Sequence, residues 1–223
     1  MSLTDAQREA ALSLRASLLA DTMPPDAFRA ALTRIPSQLR DAWLDLVLDT
    51  AEIPPDDDDL PRGCAPYLPC SVDAILAMID HARVESRDVF VDVGAGVGRA
   101  AILTHLLTGA AAIGIEIQAR LVSAARERRA LLNLRRFGVV HGDATELTGY
   151  VPIGSVFFLY CPFSGERLEK VLDELEPIAR RRTIRVCCVG MPAPERPWLR
   201  PIATHEGELA VYRSTCLEDA PSP

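Results

Sequence analysis

Five short apolar runs alternate with helical segments between residues 89 and 189, and this alternation limits how the chain can fold more than any other feature. The apolar runs cover residues 89–93, 111–115, 137–141, 155–160 and 183–189, with helical patterns over 97–107, 121–134 and 166–179. Strands that are apolar throughout and separated by helices are typical of a parallel sheet covered on both faces. The sequence therefore predicts an α/β core.

Two further strands close this pattern. Residues 199–204 and 208–214 flank Glu206 and Gly207, a combination that predicts an antiparallel hairpin. The last residues, 217–223, are expected to fray.

The first fifty residues have a different periodicity. Phe28, Leu32, Ile35, Leu39 and Trp43 recur at steps of three and four, which is the spacing of one helix face. Prolines divide this region into helices near 4–20, 26–34 and 36–50. Residues 1–55 are therefore predicted to be a helical extension, serving either as a lid or as a helical layer that extends the core or forms a dimer contact.

An acidic, proline-rich connector over residues 56–70 follows this extension. The stretch IPPDDDDLPRG, which contains four consecutive aspartates, is expected to be exposed. Ser71 is predicted to cap a helix over 71–83, and the main domain is predicted to span 71–216.

Composition excludes several classes of protein. The chain has 223 residues, of which 48% are hydrophobic and 25% charged, so it is not expected to be disordered. It has no apolar run long enough for a membrane span and no visible export signal, so a cytoplasmic location is expected. The six cysteines are expected to be reduced, and their spacing does not predict a metal site.

The net charge of −7 argues against a broad basic surface for nucleic acid. Two local arginine clusters, at residues 126–129 and 180–182, are interpreted as solvated helix faces. Nucleic acid is therefore not an expected partner, and the oligomeric state is left open.

A glycine-rich turn follows the first predicted strand. In DVFVDVGAGVGRA, Gly94, Gly96 and Gly98 allow backbone N–H groups to approach a ligand without hindrance from a Cβ. Arg99 stands where a dinucleotide-binding turn has its last glycine or an alanine. The turn therefore does not match a pyrophosphate loop.

Two carboxylates follow the next two strands. Glu116 ends the second strand, where a carboxylate can accept hydrogen bonds from both ribose hydroxyls. Asp143 follows the third strand, where it can accept from an adenine amino group. The glycine turn, Glu116 and Asp143 are thus expected to share one crevice at the carboxyl edge of the sheet.

At these motifs the sequence resembles the class I S-adenosylmethionine-dependent methyltransferases over about residues 65–214. The resemblance is carried by VDVGAGVGR, Glu116, the Gly-Asp-Ala step at 142–144 and the fourth-strand motif FLYCPFSG. It implies a Rossmann-like, seven-stranded and mostly parallel sheet with a closing antiparallel hairpin. It also implies S-adenosylmethionine as cofactor. The cofactor would be held by Asp92, Gly94, Ala95, Gly96, Glu116, Asp143 and Ala144.

Within that superfamily, the same motifs are similar to those of the non-SET histone lysine methyltransferases. Tyr67-Leu68-Pro69-Cys70-Ser71 also resembles the Tyr-x-Pro-Thr/Ser step of small lysine methyltransferases. The resemblance implies that Tyr67 closes over the cofactor and that Tyr160 also contacts it. The chain departs from these families at Cys161, where amine-directed members often have Asn or Asp.

Methyl transfer needs an in-line nucleophile and the exclusion of water, and no base is obligatory. If a base is used, the candidates are Tyr160, Glu166 and Tyr67. Cys161, Pro162 and Phe163 are predicted to form the acceptor pocket.

The leading hypothesis is methyl transfer to a small molecule, and the first alternative is a protein lysine. Two further hypotheses concern other classes of protein. One is a nicotinamide-dependent oxidoreductase, which Arg99 and the closing hairpin disfavour, and the other is a non-catalytic nucleotide-binding module.

Overall fold

The computed structural model describes residues 2–50, 52–191, 195–205 and 209–215. Their strands form a seven-stranded sheet in the order β3-β2-β1-β4-β5-β7-β6. The strands are β1 (Val89–Val93), β2 (Ala111–Glu116), β3 (Phe137–His141), β4 (Val156–Tyr160), β5 (Arg185–Val189), β6 (Leu199–His205) and β7 (Leu209–Ser214).

Helices cover both faces of this sheet, and the first three form the N-terminal extension. They are α1 (Asp5–Leu19), α2 (Pro25–Thr33), α3 (Ser37–Leu48), α4 (Val72–Ala82), α5 (Arg99–Thr108), α6 (Ala119–Leu131), α7 (Ala144–Leu147) and α8 (Glu166–Arg181). Ser71 caps α4 as predicted, because its side chain accepts a hydrogen bond from the Ala74 N–H.

The sheet confirms the expected topology. β1 to β5 pair in parallel, β7 runs antiparallel to β5, and β6 runs antiparallel to β7. The predicted hairpin turn at Glu206 and Gly207, and the tail 217–223, lie outside the described residues. Helix α5 begins two residues later than predicted because Gly98, at φ 80°, caps it in the left-handed conformation.

The N-terminal helices share one hydrophobic core with the sheet domain. Phe28 and Trp43 are fully buried, with ring centroids 6.4 Å apart, in the same cluster as Met78 of α4 and Ile102 of α5. Burying large side chains of this kind stabilises a fold by roughly 1.5–3 kcal/mol each. Helices α1 to α3 thus form a layer of the core.

Arg99 joins this layer to the glycine-rich turn. Its guanidinium is buried and forms ion pairs with Asp41, at 2.7 Å, and with Asp45, both on α3. Its Nε donates to the Cys70 carbonyl at 3.1 Å. The residue that excludes a dinucleotide fingerprint therefore has a structural role of its own.

The connector differs from its expected exposed state. Asp58 and Asp59 are exposed, but Asp56 and Asp57 are half-buried and hydrogen-bonded, so the expectation is wrong for these two. Asp57 accepts from the Ala119 N–H at the start of α6, where a helix favours negative charge.

Among the helices of the described residues, none is long and apolar enough to cross a membrane.

Candidate functional site

A cavity of about 310 Å³ opens at the carboxyl ends of β1, β2, β3 and β4. This is the edge at which open parallel sheets bind ligands. Its lining combines the glycine-rich turn, the ends of β2 and β3, the loop after β4 and the connector. The lining residues are Leu60, Cys64, Ala65, Pro66, Tyr67, Leu68, Gly94, Glu116, Ile117, Gln118, Gly142, Asp143, Ala144, Tyr160, Cys161, Pro162, Phe163 and Arg167.

The glycine-rich turn forms the floor at one end of this cleft through Gly94, whereas Ala95 and Gly96, which were also predicted to hold the cofactor, are not among the lining residues. Gly94 and Gly96 have φ values of 83° and 55°, a region in which residues with a Cβ are strained. A Cβ at position 96 would overlap the Tyr67 ring, and one at position 94 would overlap Pro162. Glycine is thus required at both positions by backbone conformation and by close approach.

Glu116 lies where the sequence predicted, at the end of β2, and both of its oxygens face backbone donors. Oε2 accepts from the Gly96 N–H at 2.7 Å and Oε1 from the Gln118 N–H at 2.8 Å. Burial raises the pKa of Glu116 more than these hydrogen bonds lower it. Each oxygen keeps a further lone pair, so the carboxylate can still accept hydrogen bonds from a ligand.

Asp92 lies beneath the turn and is not among the cleft residues. Its side chain is buried and accepts from the Ala101 N–H of α5 at 3.2 Å. Desolvation raises the pKa of Asp92 to about 7, with the nearby Glu116 charge adding to the effect. Asp92 therefore braces the turn against α5, and a direct contact with the methionine end stays a prediction.

Asp143 lines the other end of the cleft, next to Ala144. Its Oδ1 accepts from the Thr145 N–H at 2.9 Å and from Arg167 Nη2 at 2.5 Å. Burial raises the pKa of Asp143, but the hydrogen bonds from Arg167 and Thr145 outweigh it and hold that pKa below its usual value. The carboxylate is therefore ionised and suited to accept from an amino group.

The loop after β4 forms the remaining wall. Tyr160, Cys161, Pro162 and Phe163 all line the cleft, so the structure brings the predicted acceptor residues to the predicted cofactor residues. Cys161 has φ 44°, a left-handed conformation that favours Gly, Asn and Asp over other residues. Its thiol donates to the Gly190 carbonyl. Strained backbone of this kind is concentrated at functional sites.

The other two candidate bases lie in different surroundings. The Tyr67 ring lines the cleft, but its hydroxyl is buried, has no hydrogen-bond partner among the described residues, and has its pKa raised by desolvation. The Asp92 charge adds to this rise of the pKa, whereas the Arg99 and Arg128 charges oppose it. Glu166 lines a separate depression with Arg62 and Lys170. The structure therefore does not bring the Glu166 carboxylate into the cleft.

The connector crosses the mouth of the cleft as a strap, defined here as residues 56–68. On one side of the cleft, Gln118 Oε1 accepts from the Asp57 N–H at 2.8 Å, and Gln118 Nε2 donates to Asp56 at 2.9 Å. On the other side, the Ala65 N–H donates to the Pro162 carbonyl at 3.0 Å, beside an isolated antiparallel β-bridge between Cys64 and Phe163. The strap is thus attached on both sides.

Sequence reasoning missed several of these residues. Gln118 follows Glu116 by two positions, so its place at the strand end was a usable signal. Asp56 had a weaker signal, because it belongs to an acidic run that was expected to be solvated. Arg167 and Cys64 carried no signal, since only the folded chain brings helix α8 and the strap to Asp143.

The family model described as histone methylation protein DOT1 matches residues 67–149. This stretch is less than half of the chain. It begins at Tyr67 and contains the glycine-rich turn, Glu116 and Asp143, but it ends before Tyr160. No curated protein matches the chain.

Solved structures with the same fold are numerous. An RNA methyltransferase from Salinibacter ruber in complex with S-adenosyl-L-homocysteine is 26% identical, with a TM-score of 0.50, over 70% of this chain and 98% of that one. The putative methyltransferase yhhF from Escherichia coli is 21% identical, with a TM-score of 0.52, over 70% and 88%. A putative caffeoyl-CoA O-methyltransferase from Staphylococcus aureus is 10% identical, with a TM-score of 0.51, over 67% and 86%. The last two likenesses concern the fold alone.

Proposed function

We propose that this chain, a class I S-adenosylmethionine-dependent methyltransferase, transfers the cofactor's methyl group to a small, uncharged acceptor. The Salinibacter ruber neighbour was solved with the demethylated form of that cofactor. The cleft of this chain presents Gly94, Glu116 and Asp143 at the ends of β1, β2 and β3, where groups that bind this cofactor are expected.

The residues present fit that cofactor. The glycine-rich turn at Gly94 would lie against its methionine end, Glu116 would bind its ribose hydroxyls, and Asp143 with Ala144 would bind its adenine. When bound, the cofactor supplies a methyl group on a positively charged sulfur. Charge-assisted hydrogen bonds such as those offered by Glu116 are worth roughly 1.5–3 kcal/mol each.

The apolar acceptor end of the cleft is the observation that carries the proposal. Tyr160, Cys161, Pro162 and Phe163 lie beside Cys64 and Ala65 of the strap, and none of these side chains is a carboxylate, an amide or a cation. The charged lining residues are Glu116, Asp143 and Arg167, which lie at the ribose and adenine ends. Such a wall favours an acceptor recognised by shape and apolar contact.

The chain's own contribution is to position the acceptor and exclude water. Phe163 is buried and paired with the strap, so it closes the wall beside Tyr160. A neutral nucleophile needs no strong base, and Tyr160 is the candidate base whose residue lines the acceptor end. Tyr67 is better placed to cover Gly96 than to exchange protons, because its hydroxyl is enclosed.

A protein lysine is the second candidate acceptor. It is favoured by the match to the DOT1 family model, whose description names histone methylation. The matched stretch covers the cofactor elements, however, and it ends at residue 149, before the acceptor wall. The match therefore supports the cofactor site more than the acceptor.

Residues 1–55 are proposed to extend the core of this enzyme rather than to act as its lid. No residue of α1, α2 or α3 lines the cleft, whereas the strap does. A cytoplasmic location remains a prediction from the sequence, tested by cell fractionation.

Two measurements test the proposal. A thermal shift series with S-adenosylmethionine, S-adenosylhomocysteine and NAD should show stabilisation by the first two, since a ligand at 100 times its Kd contributes about 2.7 kcal/mol. Cell extract separated into protein, RNA and small molecules should then take up labelled methyl in the small-molecule fraction. Label in the protein fraction would favour lysine, and stabilisation by NAD alone would contradict methyl transfer.

Phe163→Ala separates the two ends of the cleft. We expect it to keep cofactor binding and to reduce turnover of the identified acceptor at least tenfold, because it opens the acceptor wall. Leu12→Ala, at an exposed apolar side chain of α1, is the control. Unchanged turnover in Phe163→Ala would contradict the assignment of the acceptor wall.

A further inference from the structure

Three arginines stand in direct cross-strand register at one end of the sheet. Arg185 of β5 is paired with Arg213 of β7, and Arg213 is paired with Arg200 of β6. Directly paired residues share one face of a sheet, and like charges in this position are destabilising. Arg185 is compensated by an ion pair with Asp88. Arg200 and Arg213 are exposed, and neither has an ion pair or hydrogen bond among the described residues.

This ladder continues into grooves along the same edge of the sheet. Arg213 and Arg185 line a groove with Arg83, Arg87 and Arg182. Beyond it, the Arg136 guanidinium donates to the Ser86 and Gly109 carbonyls, and Arg136 lines a second groove together with Arg135 and Asp21. We call these residues together the basic rim: Arg83, Arg87, Arg126, Arg129, Arg135, Arg136, Arg182, Arg185, Arg200 and Arg213.

A third, separate depression lies at the end of α6. Arg126, Arg129 and Arg135 line it, and no acidic side chain of the described residues does. The helix dipole accounts for an arginine such as Arg129 in the last turn of α6, but not for Arg135 beyond it. Positive charge is therefore concentrated here without local compensation.

The charge of the basic rim is opposite in sign to the net charge of the chain. It holds ten of the 24 basic residues of a chain with net charge −7. Of the chain's 31 acidic residues, three line these grooves among the described part: Asp21, Glu85 and Asp88. Glu85 and Asp88 are paired with Arg87 and Arg185. The overall charge thus conceals a strongly positive edge.

The length of the rim indicates the kind of anion that fits it. It runs from the β3 edge to β6, which is six inter-strand steps, or about 28 Å at roughly 4.7–4.9 Å per step. A nucleic-acid strand carries one phosphate per roughly 3.4 Å, so about eight phosphates span this distance.

We propose that the basic rim docks the phosphate backbone of a nucleic acid without regard to base sequence. The rim lies at the amino ends of the parallel strands, and the cleft lies at their carboxyl ends, about 16 Å away along five residues of strand. The docked backbone therefore anchors the protein rather than entering the cleft. This inference is independent of the proposed methyl acceptor.

Fluorescence anisotropy with a labelled 20-nucleotide RNA of scrambled sequence tests the proposal. We expect micromolar Kd at about 0.1 M salt, with affinity falling steeply as salt rises. Arg213→Glu should weaken binding at least fivefold and flatten the salt dependence. Arg34→Glu is the matched control, because Arg34 is exposed, lies outside the rim and changes the net charge equally. It should stay within twofold of wild type.

The Arg213→Glu substitution should change the stability of the protein and its RNA affinity in opposite directions. Arg213→Glu places a carboxylate between Arg185 and Arg200, so its urea midpoint should rise at low salt while its RNA affinity falls. At the other end of the rim, Arg129→Glu with Arg135→Glu should weaken RNA binding. The paired control, Arg8→Glu with Arg34→Glu, should not.

Three outcomes would overturn the proposal. These are a Kd above about 100 µM at 50 mM salt, equal losses in the rim variants and their controls, and preferential binding of phosphatidylserine vesicles over RNA in competition. The last would assign the rim to an anionic membrane surface.

Discussion

The carboxylate of Glu116 accepts a hydrogen bond from the backbone N–H of Gly96 at 2.7 Å. This bond ties the glycine-rich turn after β1 to the end of β2, so the two parts of the cofactor site are fixed relative to each other. The Gln118 N–H fixes the second oxygen of the same carboxylate. A site arranged in advance of binding spends less free energy on ordering when its ligand arrives.

Glu116→Ala is expected to weaken S-adenosylhomocysteine binding by about tenfold to 100-fold, because it removes charge-assisted hydrogen bonds worth roughly 1.5–3 kcal/mol. Titration calorimetry measures the effect. Glu127→Ala, at an exposed carboxylate on α6, is the control and should bind as wild type does. Equal affinity in the two variants would remove Glu116 from the site.

Asp92→Asn is expected to stabilise the protein in a pH-dependent way. Because the pKa of Asp92 is about 7 when folded and near 3.8 in its ordinary state, ionisation opposes folding. Its favourable contribution is complete below about pH 4 and is lost as pH rises through 7. Each unit between these two pKa values corresponds to about 1.4 kcal/mol, so the free energy of unfolding of the variant should exceed that of wild type by about 4 kcal/mol above pH 7.

Urea unfolding at pH 5 and pH 8 checks this expectation. The difference between Asp92→Asn and wild type should be larger at pH 8, since Asn stays neutral and keeps an acceptor for the Ala101 N–H. A difference that does not change with pH would show that Asp92 is not desolvated as described.

Arg99→Met is expected to lower the free energy of unfolding by about 2–3 kcal/mol, since it breaks a buried charged network but leaves Asp41 and Asp45 partly open to water. Arg87→Met is the control, because its ion pair with Glu85 is exposed and such pairs contribute at most about 1 kcal/mol. Denaturant titrations of both variants measure the contrast. Similar losses would argue against a joining role for Arg99.

Deletion of residues 1–55 is expected to give insoluble protein. It would uncover the core surface of α4 and α5, including Met78 and Ile102, which share one buried cluster with Phe28 and Trp43. Solubility and circular dichroism of the truncated chain measure this outcome. A soluble, folded product that binds cofactor but does not turn over would instead support the lid.

Much of this architecture is readable in the sequence because apolar periodicity follows burial. The strand Phe137–His141 has its predicted bounds, and the glycine turn, Glu116 and Asp143 meet at one edge because parallel strands place their carboxyl ends together. The loop that follows β4 at Tyr160 reaches the same cleft for this reason.

What the sequence did not reveal depends on contacts between distant segments. Asp56 looked like part of a solvated run, yet Gln118, 62 residues away, binds it. Asp92 resembled a cofactor ligand, but the direction of its side chain toward Ala101 is set by helix α5. The arginine ladder depends on the register of β5, β7 and β6, which composition does not determine.

The double attachment of the strap has a kinetic consequence. Release of a product bound beneath residues 56–68 would require the hydrogen bonds to Gln118 or to Pro162 to open first. The first catalytic cycle would then run faster than those that follow, and an initial burst would precede a slower steady rate set by exchange. Opening of the strap would then set the steady-state rate of turnover.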